Sequence, residues 1–272
     1  MPANLAGYRV RGAFAAVVLS SITVAAAELQ EATVKAFDTY VEAAEERSAT
    51  PFLWIDTQPP AERQRLLGNL RNGELLIERL HARPGGRDLD VPGGLIHHWL
   101  GTVFVPNATA AAAVKLLQDY DRHADVYAPA VARSHLLSHQ GDEFRFSLRL
   151  AMTKVITVVI DGEHEARFAW LRPNRARSWI RSTRLAEVTD AGTSREHAEP
   201  VGQGGGYLWR LNSYWRFDER NGGVYIECES VSLTRGIPYG LSWAVGPFVT
   251  SLPRESLELT LNETRDTLMK AK

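Results

Sequence analysis

Chemistry in this 272-residue chain could begin at its eight histidines, its lone cysteine or its glycine-rich stretch. His97 and His98 are adjacent, so on a strand their side chains leave opposite faces and cannot share one ion. His135 and His139 are four apart, but they fall around a turn ahead of a strand and lack the intervening Glu of a metal-binding helix. Glu163-His164-Glu165 has no second His at helical spacing, and a single Cys cannot build a structural zinc set. No metal, cofactor or catalytic constellation is therefore expected. Residues 202–206, Gly-Gln-Gly-Gly-Gly, have the composition of a phosphate cradle but precede a strand, whereas phosphate loops open a helix whose N-terminus holds the charge. They read as loop. No G-x-S-x-G nucleophile elbow is present. Cys228 cannot bridge internally, and within the strand-like run 224–233 it reads as a buried structural thiol.

Binding residues are easier to find than catalytic ones. From Tyr207 to Phe217 the chain alternates, with Trp209, Leu211, Ser213 and Trp215 on one face and Arg210, Asn212, Tyr214 and Arg216 on the other. Asn221-Gly222 supplies the positive-φ centre of a tight turn. With that centre, Arg216 faces Glu227, Tyr214 faces Glu229, Trp215 faces Cys228, Ser213 faces Ser230 and Leu211 faces Ser232. The charged face reads as wet, with cross-strand pairing favoured there. The inner face sets Ser213, Ser230 and Ser232 between large aromatics, which predicts a cavity. A slip of one residue would erase that prediction. Arg210, Arg216 and Arg235 offer a ligand headgroup a cation, although surface pairing with Glu227 and Glu229 is favoured for the first two.

The positioning elements follow from periodicity. Residues 28–48 form a helix through Val34, Phe37, Tyr40, Val41 and Ala44, and 60–70 form a second, with Pro60 near its first turn. Strands follow at 74–81 and 94–105, then a helix from Ala108 to about His123 capped by Asn107. Phe144, Phe146, Leu148, Leu150 and Met152 alternate with polar neighbours as a strand packed on one face. Runs 155–160, 166–171 and 178–188 continue the sheet, broken at Asp161-Gly162 and Pro173-Asn174. Residues 190–206 read as loop. A closing helix starts at a Ser251 cap with Pro253 in its first turn and runs to about Met269. Its stripe is Leu257, Leu261, Thr264 and Leu268. The uncharged stretch 236–249, with Trp243, links the last strand to this helix. It reads either as a packed plug at the open end of the sheet, or as a gate or apolar tip that touches a membrane transiently.

Composition bounds the partners. With 44% hydrophobic and 23% charged residues and a net charge of −1, the chain is globular and has no global attraction to nucleic acid. Arg9 and Arg11, the apolar run 12–27 and its Ala25-Ala26-Ala27 exit read as a signal peptide, residues 1–27, and place the protein in the periplasm or outside the cell. An uncleaved anchor is the alternative reading. The domain plan is then 28–72 as a helical extension and 73–272 as the main body.

The order of elements predicts an α+β fold. Residues 88–272 resemble the START-like, or SRPBCC helix-grip, superfamily. The resemblance rests on GTVFVPNATAAAAVKLLQDYDRH (101–123), YLWRLNSYWRFDERNGGVYIECESVSLTR (207–235) and SLPRESLELTLNETRDTL (251–268). It implies a curved antiparallel sheet wrapped around the long C-terminal helix, with a hydrophobic small molecule held between them. The residues expected to line that space are Trp209, Leu211, Ser213 and Trp215, then Ser230 and Ser232, and finally Trp243, Leu257 and Leu261. Residues 28–72 fall outside the resemblance. A cyclase or dehydratase of the same superfamily is the rival, drawing on Arg149, His98, Tyr214 or Glu229, most of which the alternation turns outward. A plain partner- or membrane-binding module using 236–249 is a third reading.

Overall fold

The computed structural model of the protein describes residues 28–47, 51–153, 157–237 and 242–271. The expected signal peptide, 1–27, lies outside them. In chain order the elements are α1 (Glu31–Arg47), α2 (Pro60–Arg71), β1 (Leu76–Arg79), β2 (Gly94–Pro106), α3 (Ala110–Gln118), α4 (His123–Val126), β3 (Val131–Gln140), β4 (Glu143–Thr153), β5 (Thr157–Arg172), β6 (Arg175–Thr189), β7 (His197–Ala198), β8 (Arg210–Arg220), β9 (Gly223–Arg235) and α5 (Ser242–Lys270). The strands make one antiparallel sheet in the order β1-β2-β9-β8-β6-β5-β4-β3, with β7 added to β6. Two hairpin runs build it, β3 to β6 and β8-β9, and β9 returns to lie along the whole of β2.

This is the expected α+β helix grip: the sheet curves around α5. The predicted stripe Leu257, Leu261, Thr264 and Leu268 is the buried edge of α5. It packs into a core with Val103 and Val105 of β2, Trp215 and Phe217 of β8, Ile226 and Cys228 of β9, and the α3 face Ala110, Ala113, Val114 and Leu117. Contact is closest at Gly101, where an added Cβ would collide with Leu261 and come within 2.8 Å of Ile77 Cδ1.

The opposite face of the same strands is covered as well. Phe37, Tyr40, Val41 and Ala44 of α1 pack on Tyr214, Val231 and Leu233, while Leu53, Ile55, Leu66 and Leu70 pack on Phe104 and Tyr225. The middle of the sheet is thus a central layer between α5 on its concave side and residues 31–71 on its convex side.

Several local expectations change. The helix expected over 108–123 stops at Gln118 and re-forms as a short turn and α4, and it is capped by Thr109, whose hydroxyl accepts from Ala112 N at 3.1 Å. Asn107 instead takes a left-handed turn, φ 56°. Asp161-Gly162 does not break the sheet: β5 runs through it, because β4 pairs with it on both sides of that point. His135 and His139 lie on β3 itself, a strand whose polar residues on both faces hid it from an alternation search. The helix expected to start at Ser251 starts at Ser242, so Pro253 is interior. An interior Pro removes a helical hydrogen bond at a cost of about 3 kcal/mol. Burial of the α5 stripe offsets that cost. Of the linking stretch 236–249, residues 238–241 lie outside the described ones.

Candidate functional site

The β8-β9 register is the predicted one at every rung: Arg216 faces Glu227, Tyr214 faces Glu229, Trp215 faces Cys228, Ser213 faces Ser230 and Leu211 faces Ser232. Asn221 and Gly222 turn the hairpin with φ of 58° and 78°, both left-handed. Since β2 pairs on the far side of β9, the concave rungs extend sideways. His97 continues the Ser232–Leu211 rung, and Trp99 continues the Ser230–Ser213 rung, which reaches Ile180 on β6.

These rungs differ in filling. At the Cys228–Trp215 level, α5 sits directly on the sheet; Trp215, Leu257 and Leu261 are all buried, and burial pushes the Cys228 thiol up and keeps it inert. One and two rungs away, Leu211, Ser213, Trp99 and Ser230 are only half-buried. Beside them lies a hollow of about 240 Å³, lined by Arg79, His97, Trp99, Ser251 and Arg254. His97 donates or accepts at Thr234 Oγ1 (3.0 Å), and burial, then the adjacent Arg79 cation, lowers its pKa to about 4. It is neutral at pH 7. The Arg79 guanidinium lies 6.0 Å from the Trp99 ring centre, and Arg254 pairs with Glu258 at 2.7 Å.

The convex face carries the charge. Arg216 bridges Glu227 and Glu229, 3.0 Å to each, and Glu229 Oε1 also accepts from Arg47 and His98, both at 2.8 Å. Tyr40 hydroxyl lies 3.0 Å from His98 Nδ1 and accepts from Ala82 N at 2.9 Å. Trp54 N donates to Glu227 Oε2. The expected wet face is therefore dry: Glu227, Glu229 and His98 are no more than 2% exposed. Register was right and solvent was wrong, because α1 and the turn at 54–57 cover these residues. Burial raises the Glu227 carboxyl to about 7 despite Arg216. For Glu229 burial acts upward too, but the His98 hydrogen bond and the Arg216, His98 and Arg47 charges outweigh it and hold the group below the usual carboxylate value. Burial lowers His98 against the pull of Glu229. Neutral His98 donating Nε2–H to ionised Glu229 leaves Nδ1 to accept from Tyr40, so every link of the chain is satisfied.

The nine predicted lining residues are divided by the structure. Leu211, Ser213 and Ser230 come together half-buried on the concave face; Ser232, Trp215, Leu257 and Leu261 share that face but are buried. Trp209 does not join them. It precedes β8 and sits in the cluster under α1, where strand alternation no longer holds. The side chain of Trp243 lies outside the described ones. The residues named for a cyclase, His98, Tyr214 and Glu229, are on the convex side, and Arg149 is tied to Asp161 at 2.6 Å and Glu196 at 2.8 Å. Arg210 points its guanidinium at Trp209 O, not at a carboxylate. Arg79, His97, Trp99 and Arg254 were missed because three separate elements bring them together.

Among the described residues, no cluster of His, Cys, Asp and Glu could hold a metal ion, and no helix is long and apolar enough to cross a membrane. The architecture is an α+β fold in which a curved antiparallel sheet faces a long C-terminal helix. No family model and no curated protein matches the chain. Similar solved structures include a STAR-related lipid transfer protein from Xanthomonas axonopodis, at 19% identity over 66% of this chain and 95% of that one, TM-score 0.45. The Zhui aromatase/cyclase of a Streptomyces species is similar at 13% identity over 64% and 94%, TM-score 0.44. Human STARD10 is similar at 8% identity over 76% and 80%, TM-score 0.41. Likenesses of this size do not carry over to this chain what those proteins bind or transform.

Proposed function

We propose that the protein holds a hydrophobic small molecule, without transforming it, on the concave face of its sheet beside α5, in the periplasm or outside the cell. The observation that carries this reading is the partial exposure of Leu211, Ser213, Ser230 and Trp99 on the concave face, beside a rung that α5 buries and a hollow of about 240 Å³. Those four side chains are small, aliphatic or aromatic and carry no charge, which suits the apolar part of a ligand. The START-like resemblance of residues 88–272 implies the same ligand class, and the leader-like residues 9–27 imply export. The His98–Glu229 pair, which has the makings of acid–base chemistry, lies on the other side of the sheet, away from this space, which favours carriage over catalysis.

Native mass spectrometry of the full-chain protein after mild extraction tests the proposal. A co-purified hydrophobic adduct, lost in Ser230→Trp while the fold is kept, is the expected result. No adduct, together with no uptake of oleyl alcohol offered in solution, overturns it.

A further inference from the structure

The hollow at the β1-β2 edge has a chemistry that its apolar neighbours do not share. Two guanidinium groups reach it, Arg79 from the last position of β1 and Arg254 from α5. Arg254 is matched by Glu258 at 2.7 Å. Arg79 makes no ion pair among the described residues; what it has is the face of Trp99, 6.0 Å away. Glu78 beside it is the neighbour in a strand and leaves the opposite face. The third titratable group, His97, is buried and tied to Thr234, so it adds no charge of its own. One carboxylate thus stands against two cations around a space of about 240 Å³.

We infer that this hollow is an oxyanion subsite, which takes the terminal carboxylate or phosphate of an amphiphile whose apolar chain runs from Trp99 across Ser230 and Ser213 toward Ile180. The inference rests on the carriage reading and specifies its ligand: an anionic amphiphile rather than a neutral or cationic one. A guanidinium presents a planar fork that meets carboxylate or phosphate through two parallel hydrogen bonds. Stacking on an indole limits the rotamers of that fork before any ligand arrives, so less freedom is lost on binding. The volume equals on the order of eight waters at about 30 Å³ each, room for a compact oxyanion and the first carbons of its chain. The excess positive charge disfavours a quaternary ammonium head. The path onward is set by register, since Trp99, Ser230, Ser213 and Ile180 stand side by side on consecutive strands of the concave face.

Four probes titrated into the full-chain protein at one fixed salt concentration separate the possibilities: oleate, oleyl phosphate, oleyl alcohol and inorganic phosphate, with binding read by calorimetry. Oleate and oleyl phosphate should bind more tightly than the alcohol. Arg79→Gln and Arg254→Gln should each weaken the two anions by about tenfold, the loss of one charge-assisted contact, and leave the alcohol unchanged. Arg79→Lys, which keeps charge but loses the fork, should fall between. Equal binding of oleate and oleyl alcohol, unmoved by either Gln variant, overturns the subsite while carriage stands. Failure of all three chain-bearing probes overturns carriage itself. Tight binding of inorganic phosphate without any of them makes the hollow a free-anion site and sinks both.

Discussion

The two faces of β2, β9 and β8 are built from the same few residues of chain and reach opposite solutions. Toward α5 the side chains are mostly apolar or small, yet a hollow remains at the edge of that face. Toward α1 they include Arg216, Glu227, Glu229 and His98, yet that face is closed to water. Polarity and exposure are decoupled because residues 31–71 supply partners to Glu227, Glu229 and His98, through Trp54, Arg47 and Tyr40. Alternation along a strand tells which side chains travel together; it does not tell which set meets water.

The contrast can be broken most forcefully at Arg216. Arg216→Met leaves Glu227 and Glu229 buried without their shared cation, and should cost about 3–5 kcal/mol, measured by denaturant titration. A cost below 1 kcal/mol would mean that water reaches the convex cluster. Next in size, Leu261→Ala opens the filled part of the concave face and should cost about 2–5 kcal/mol in the same assay. If it costs no more than a surface substitution, α5 is not seated at Gly101.

A pH test sharpens the comparison without deleting any packing. Glu227 is raised from 4.5 to about 7, chiefly by burial. Its contribution to stability is present in full below the lower value and is lost as pH rises through the upper one. His98, lowered by burial, contributes with the opposite sign, present above its ordinary value and lost on acidification. Glu227→Gln should therefore lose less stability than the parent between pH 5 and pH 8, and identical slopes in the two proteins would place Glu227 in solvent. The smallest effect is expected at the half-buried serines. Ser213→Ala and Ser230→Ala should each shift stability by less than about 0.5 kcal/mol, since their hydroxyls seal nothing. A larger loss by thermal melting would show these hydroxyls hold the sheet rather than line a space.

What the sequence made legible was local. The β8-β9 register follows from Asn221-Gly222 and strict alternation, and the α5 stripe from a clean helical period. That register sets Ser213, Ser230 and Leu211 on one face. What stayed hidden was set by distant pairing. β2 meets β9 along its full length, as at Trp99 with Ser230, and nothing in either strand announces the other. Arg79 meets Trp99 only through the pairing of β1 with β2, and Arg254 joins them from α5. The Arg216 cluster was read as wet because its covering layer comes from residues with no link to the hairpin except contact. Trp209 was misplaced because alternation was carried one residue beyond the start of β8.

Two bonds tie the start of the described chain to its last hairpin. Arg47 at the end of α1 meets Glu229 on β9 across 182 positions, and Trp54 meets Glu227 across 173. The first helix among the described residues, 17 residues long, gains these two anchors only once the final hairpin exists. Docking of α1 is then a late event in folding, and a chain interrupted before β9 is finished leaves the convex strands with nothing to close them.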